Sequence, residues 1–227
     1  MGKKRVYITN RAYFENTGAG KRRVLDKAPR LEALAPHLFE TECDLFLGAY
    51  DEATKEERDA PFYNNFRERY GSEDIAALLN AAKQSKPKRL YLTGLCQSEW
   101  EALAPILQDN VKELYLFKCS DISDLSLLKG FQKLEVVALY HNRRLTHLWE
   151  MHQNERLKFL SFTYVTKLEC IDPLTKSQVE YVNFDSANNY GNKQAATFDR
   201  SFFENAKTIK HLFLNYKGLS VSESPIR

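Results

Sequence analysis

The sequence predicts an α/β fold in which short parallel strands recur along the chain and lie side by side in one sheet. A strand-like frame, apolar-x-x-apolar-x-apolar-x-x-(Asn/Cys), begins at residues 87, 111, 134, 157, 179 and 209, in steps of 24, 23, 23, 22 and 30 residues. Between one copy of the frame and the next, apolar residues recur at spacings typical of turns or helices. Because one such unit cannot bury its apolar edge alone, the spacing predicts stacked units that share a core.

The copies at 111 and 134 carry the clearest pattern. VKELYLFKC (111–119) and LEVVALYHN (134–142) fit the frame at every fixed place. The copies at 157, 179 and 209 fit except at the last place, and the copy at 87 supplies the inner pair Leu90 and Leu92. The residues predicted to return the chain to the core are Ile122, Leu125, Leu128, Phe131, Leu145, Leu148, Leu168, Ile171 and Leu174.

The N-terminal part contains weaker echoes of the same unit. KRVYITN (4–10) matches KRLYLTG (88–94), and EALAP occurs at 32–36 and again at 101–105. Each EALAP precedes a Leu-aromatic-Leu strand, so Leu45 and Leu47 correspond to Leu114 and Leu116. We therefore predict strands near 5–9 and 44–48 in the same parallel stack. Residues 55–86 are mostly helical in pattern, with a helix start at 71–74 before IAALLNAA.

These phased copies resemble the leucine-rich repeat family in its irregular, bacterial-type form. The resemblance is good over about 87–217 and weaker over 1–86. Asn142 fills the family's ladder-asparagine place and Cys119 is an accepted substitute there. The chain departs from the family at Leu95, Val165, Ala187 and Lys217, where that side chain is missing.

The resemblance implies an α/β solenoid of about eight parallel strands. It places a curved parallel β-sheet on the concave face, short helices or irregular turns on the convex face, and a role in binding proteins. Residues 1–227 are then a single solenoid, with divergent N-terminal repeats and a helical insertion in 1–86. The regular repeats span 87–217, and a C-terminal tail spans 218–227.

Residues that flank the core leucines are predicted to point to the other face of the sheet, because side chains alternate along a strand. Aromatic residues are concentrated there, and a row of them on a soluble protein is typical of an interaction surface. The alternatives are that strands favour aromatic residues anyway, or that the insertion covers the face. The predicted partner-binding residues are Tyr91, Tyr115, Phe117, Tyr140, Phe159, Tyr181, Asp185, His211 and Phe213.

Candidate catalytic and metal motifs fail on spacing. Residues 16–22, NTGAGKR, lack the first Gly and the final Ser or Thr of a phosphate-binding loop. His141, His147 and His152 match no zinc spacing, and Cys119 holds a repeat position typical of packing. Asp185 and His211 could be neighbours on adjacent strands, but the sequence alone does not make them a predicted catalytic pair. We predict no enzyme activity, no cofactor and no metal.

Bulk properties narrow the class of partner. The net charge of +3 is too small to indicate nucleic acid, and the chain has neither an apolar run of membrane-spanning length nor a signal-peptide core. Four widely spaced cysteines are typical of a reducing compartment. We expect a cytoplasmic monomer that binds a protein. Two alternatives stay open: nucleic-acid binding through aromatic and N-terminal basic residues, and a host-directed bacterial effector.

Overall fold

The described residues contain nine strands, which form one sheet in which each strand lies beside its neighbours in sequence order. The structure is a computed structural model, and it describes residues 5–9, 45–50, 75–117, 119–165, 167–185, 202, 205–216 and 219–223. The strands are β1 (Arg5–Thr9), β2 (Leu45–Tyr50), β3 (Arg89–Thr93), β4 (Glu113–Phe117), β5 (Val136–Tyr140), β6 (Phe159–Thr163), β7 (Tyr181–Asp185), β8 (His211–Tyr216) and β9 (Leu219–Glu223).

The pairings from β2 to β8 are all parallel, which confirms the predicted α/β class and its parallel sheet. Strands β3 to β8 begin at 89, 113, 136, 159, 181 and 211, so they repeat the steps found in the sequence. Leu45 and Leu47 lie in register with Leu90 and Leu92, as the Leu-aromatic-Leu echo predicts. Sequence spacing therefore determines which residues stand side by side.

The connections place two helices and several short turns beside the sheet. Helix α1 (Ile75–Ser85) begins directly after the start predicted at 71–74, and α2 (Gln97–Leu107) contains the second EALAP. Later connections shorten to 3₁₀ turns at Ser126–Gly130, Met151–Gln153 and Asp172–Lys176. One apolar core runs from α1 to β8, and all nine predicted return residues belong to it.

Both ends of the sheet differ from the prediction. Strand β1 is antiparallel to β2, with Arg5 opposite Tyr50, so its expected place in the parallel stack is wrong. Alternation of apolar residues predicts a strand's face and leaves its direction open, which explains the error. The predicted C-terminal tail contains β9, antiparallel to β8. The predicted insertion before residue 75 and the first EALAP lie outside the described residues.

Two buried asparagines tie the turns of successive units together. The Asn142 Nδ2 donates to the Cys119 carbonyl, 3.1 Å away and 23 residues earlier, as the ladder position implies. Asn154 makes more bonds, because its Nδ2 donates to the carbonyls of Leu128 and Phe131 at 2.8 and 3.0 Å. Its Oδ1 accepts from the Trp149 indole at 2.7 Å. The sequence frame does not identify Asn154.

A row of alternating charges borders the amino ends of the strands. Lys112 pairs with Glu135 at 2.9 Å, and Glu180 pairs with both Lys158 at 3.0 Å and Lys210 at 2.7 Å. Each residue immediately precedes its strand, so the sheet register brings these side chains together. Hydrogen bonds from Lys210 and Lys158 lower the pKa of Glu180, and the bond to Glu180 raises the pKa of Lys210.

Candidate functional site

The aromatic face is the sheet face opposite the core leucines, and it carries Tyr91, Tyr115, Tyr140, Phe159 and Tyr181. Its residues form three rows in register across β3 to β8. The rows are Arg89, Glu113, Val136, Phe159, Tyr181 and His211; Tyr91, Tyr115, Ala138, Ser161, Asn183 and Phe213; and Thr93, Phe117, Tyr140, Thr163, Asp185 and Asn215.

Much of the aromatic face is buried, which corrects the expectation that its rings are exposed. The exposed fractions are 6% for Tyr91, 9% for Tyr115, 7% for Tyr140 and 2% for Phe159. Side-chain alternation predicts which face a residue occupies and does not predict what covers that face, so the sequence pattern could not give these values.

The other predicted binding residues fall into two groups. Tyr181 and His211 are half-buried and so remain in contact with solvent. Phe117, Asp185 and Phe213 hold the register positions expected for them, and their side chains lie outside the part of the chain that the structure describes.

The first aromatic group lies on β3 and β4. The rings of Tyr91 and Tyr115 stack, with centroids 4.3 Å apart and planes 7° from parallel. Beside them the Arg89 guanidinium donates two hydrogen bonds to the Glu113 carboxylate, at 2.8 and 3.1 Å, and the Tyr115 hydroxyl donates to the same carboxylate at 3.0 Å. Burial, reinforced by Tyr91 and Glu113, raises the pKa of Tyr115 well above its usual value.

The second aromatic group lies at the amino ends of β6 to β8. Phe159 stacks on Tyr181 with centroids 5.1 Å apart, and Tyr181 stacks on His211 at 4.8 Å and 6°. Asp185 and His211, considered above as possible neighbours, do not lie side by side, because Asp185 lies opposite Asn215 and His211 opposite Tyr181. Four residues of strand, about 13 Å, separate the two positions.

A third group, the rim cluster, consists of Tyr140, His141 and Tyr164 at the carboxyl ends of β5 and β6. The ring centroids lie 5.0 to 5.5 Å apart, and His141 and Tyr164 are half-buried. Both residues have left-handed backbones, with φ of 63° and 55°. Gly94 holds the equivalent place after β3 with φ of 67°, so the turn itself requires this conformation. Gly94 is therefore the sequence feature that indicates a left-handed turn after the strands, and the sequence prediction did not extend it to His141 and Tyr164.

A polar patch of Ser161, Thr163 and Asn183 lies between the rim cluster and the second aromatic group. The three residues are 1 to 2% exposed. The Asn183 Nδ2 donates to the Ser161 hydroxyl at 2.9 Å. Within the part of the chain that the structure describes, Asn183 Oδ1 and Thr163 Oγ1 have no hydrogen-bond partner. The sequence prediction missed this patch, because alternation predicts these strand positions to be exposed, where polar residues are ordinary.

The described residues form neither a metal site nor a membrane-spanning helix. The three histidines considered as ligands lie apart: His141 is in the rim cluster, His147 contacts Thr146 and His152 contacts Glu150. Among the residues that the structure describes, no group of three or more His, Cys, Asp or Glu is placed to hold a metal ion. The described helices include none that is both long and apolar enough to cross a membrane.

Comparison with protein-family profiles, with curated proteins and with solved structures finds no match to this chain. Its candidate site therefore rests on its own geometry: two stacked aromatic groups, a half-buried rim cluster and a polar patch on one sheet face.

Proposed function

We propose that the chain is a non-catalytic, leucine-rich-repeat-type solenoid that binds a protein partner through the aromatic face. The parallel register of β2 to β8 and the Asn142 bond to the preceding unit support the repeat assignment. The accessible part of the site is now smaller than the sequence predicts. Among the rings whose side chains the structure describes, it consists of Tyr181 and His211 at one end of the strands and of His141 and Tyr164 in the rim cluster at the other.

The rim cluster is the observation that carries the proposal. A left-handed backbone costs a residue with a side chain about 1 to 2 kcal/mol, and glycine avoids that cost. The chain uses glycine after β3 but His141 and Tyr164 after β5 and β6. Retaining two large rings where glycine suffices for the turn favours a role beyond folding, because strained residues concentrate at functional sites. Tyrosine and histidine rings held rigidly lose little freedom on binding.

The test is a variant that keeps the turn and removes the rings. His141→Gly combined with Tyr164→Gly preserves the left-handed conformation, so the melting temperature is expected to change by only a few degrees. Proteins captured from a lysate of the source organism are compared between this variant and wild type by quantitative mass spectrometry. The proposal predicts that at least one protein bound by wild type is lost. The control is Lys129→Gly, an exposed change in a distant turn.

The leading captured protein is then purified and its affinity for both forms measured directly. Equal affinity for wild type and the glycine variant would remove the rim cluster from the site. Nucleic acid is the second candidate, since exposed Arg143 and Arg144 adjoin the rim cluster, although Arg144 also pairs with Asp121 at 3.4 Å. A steep loss of affinity between 50 and 200 mM salt, about 10³-fold or more, would favour nucleic acid.

A further inference from the structure

The edge of the sheet at the amino ends of β3 to β8 carries more positive charge than the chain as a whole. The four residues before each of these six strands together include eight lysines and arginines and four carboxylates, a net charge of +4. The net charge of all 227 residues is only +3. We refer to this edge as the basic border.

An inner row of charges on the basic border pairs largely with itself. These residues immediately precede the strands, and the backbone ladder continues through them, because Lys112 N and Lys158 N donate to the carbonyls of Lys88 and Glu135 at 2.7 and 2.9 Å. Both carboxylates of the row are used within it: Glu135 by Lys112, and Glu180 by the lysines on either side. The inner row therefore leaves no carboxylate to neutralise the residues outside it.

An outer row lies two residues before the inner one and contains no carboxylate. Its members are Lys86, Asn110, Lys133, Arg156, Gln178 and Thr208. The buried residue between the two rows occupies the same kind of turn in several units, because the backbone N–H donates to the carbonyl three residues earlier at 3.0 to 3.2 Å in Leu134, Leu157 and Ile209. The three cations of the outer row are exposed, and within the described part of the chain they form no ion pair.

The cations of the basic border are close enough to act together on a partner. Adjacent strands lie about 4.8 Å apart, so the border is about 24 Å long across six strands. Lys133 and Arg156 belong to adjacent units, and the Debye length at physiological salt is about 8 Å, so their fields overlap. Like charges side by side on neighbouring strands destabilise a sheet. A partner carboxylate placed between them removes that repulsion.

The charge pattern fits an acidic protein segment better than a nucleic acid. Glu135 and Glu180 lie among the cations, so a chain with one phosphate per nucleotide would meet repulsion at these two places. A protein segment can place its carboxylates opposite the cations and neutral residues opposite the glutamates. The border also adjoins the accessible rings of the aromatic face, because Tyr181 and His211 directly follow residues of the inner row.

We propose that the basic border binds an acidic, extended segment of the protein partner, whose carboxylates contact Lys86, Lys133 and Arg156. The inference rests on the proposed function, since it specifies the charge of the partner that the aromatic face binds. Tyr181 and His211 contact the apolar part of that partner, and the border selects for its negative charge.

The test uses labelled probes with the full chain, so the partner need not be known. The probes are a fluorescein-labelled peptide in which Glu and Gly alternate, a matched peptide with Gln in place of Glu, and single-stranded oligo(dT) of similar length. Fluorescence anisotropy is followed at about 50 mM salt, where screening is weaker than at physiological salt. The proposal predicts saturable binding of the Glu peptide and none of the Gln peptide. No saturable binding of the Glu peptide, or tighter binding of oligo(dT), would overturn it.

Two variants of equal charge change locate the site. Lys133→Glu combined with Arg156→Glu replaces two attractions with two repulsions, so it is expected to weaken the Glu peptide about tenfold. The control, Lys129→Glu combined with Lys167→Glu, changes exposed residues outside the border and should alter affinity about twofold at most. Equal weakening in both variants would show an effect of net charge alone and would refute the location. Lys133→Gln with Arg156→Gln repeats the comparison with a smaller charge change if the reversal lowers the melting temperature.

The same probes separate this inference from the proposed function. The glycine variant of the rim cluster is expected to bind the Glu peptide as wild type does. If it does so and still captures every partner, the proposed function fails and the basic border stands. If it loses a partner while no form of the chain binds the Glu peptide, the proposed function stands and the basic border fails.

Discussion

Replacing Asn154 by Ala tests how strongly one buried amide joins two turns. The change deletes three hydrogen bonds: two to the carbonyls of Leu128 and Phe131 and one from the Trp149 indole. Each carbonyl keeps one backbone bond, from Phe131 N and Leu134 N respectively, so each loss is expected to cost about 1 kcal/mol. The buried indole N–H loses a 2.7 Å bond and adds about 1 to 2 kcal/mol.

The expected loss for Asn154→Ala is therefore about 3 to 4 kcal/mol, a large share of the roughly 5 to 15 kcal/mol that stabilises a domain. Asn142→Ala is the matched control, since Asn142 is equally buried but makes one bond, to a carbonyl that also accepts from Ile122 N. Its expected loss is about 1 kcal/mol. Urea unfolding measures the free energy of unfolding of both variants, and an unchanged m-value shows that the two can be compared. Similar losses of stability in the two variants would refute the claim that the loss grows with the number of hydrogen bonds removed.

Three further changes test the electrostatics. Arg89→Met leaves the Glu113 carboxylate, only 12% exposed, without its cation, and we expect a loss of about 2 to 3 kcal/mol. Adding Glu113→Gln removes the unpaired charge and keeps an acceptor for the Tyr115 hydroxyl, so it should restore much of this loss; a double variant as unstable as the single would contradict this. Glu180→Gln should be less stable than wild type at pH 7, and the difference should shrink as pH falls below 4.5, because the lowered pKa of Glu180 contributes stability above its unfolded value of 4.5 that is lost as pH falls through the folded pKa. A difference in urea midpoint that does not vary with pH would argue against that pairing. Because the pKa of Tyr115 is raised, its neutral form contributes stability below pH 10 that is lost as pH rises through the folded pKa. The hydroxyl should therefore stay neutral in the folded chain at pH 10.5, and Tyr115→Phe should leave the rise in tyrosinate absorbance at 295 nm unchanged. A smaller rise in the variant would show that the Tyr115 hydroxyl ionises normally.

The repeat spacing was sufficient to predict much of the sheet. Strands β3 to β8 start in the same steps as the sequence frame, and the pairing of Leu45 with Leu90 follows from the Leu-aromatic-Leu echo. Both results depend on period-2 alternation, which is a local property of the chain. The direction of β1 depends on how the connection after it runs, and the echo KRVYITN reads equally well in either direction.

The candidate site was harder to predict than the sheet. The row positions of Tyr91 and Tyr140 followed from alternation, but their burial depends on contacts across the fold that no local pattern contains. The sequence also did not predict the left-handed backbones of His141 and Tyr164. Glycine is the residue expected in that conformation, and of these three equivalent positions only position 94 has one. The unpaired atoms of Asn183 and Thr163 depend on neighbours in three dimensions and have no sequence signal.

Strands β1 and β9, which run against the strands they flank, affect how copies of the chain can meet. A sheet edge offers unpaired backbone groups to any passing strand, and a stack of similar units is open to end-to-end growth. Here the last strand on each side reverses direction. An identical unit added at either edge would therefore meet a strand that runs against the parallel series. The two outer strands thus end the run of parallel pairings within the described residues.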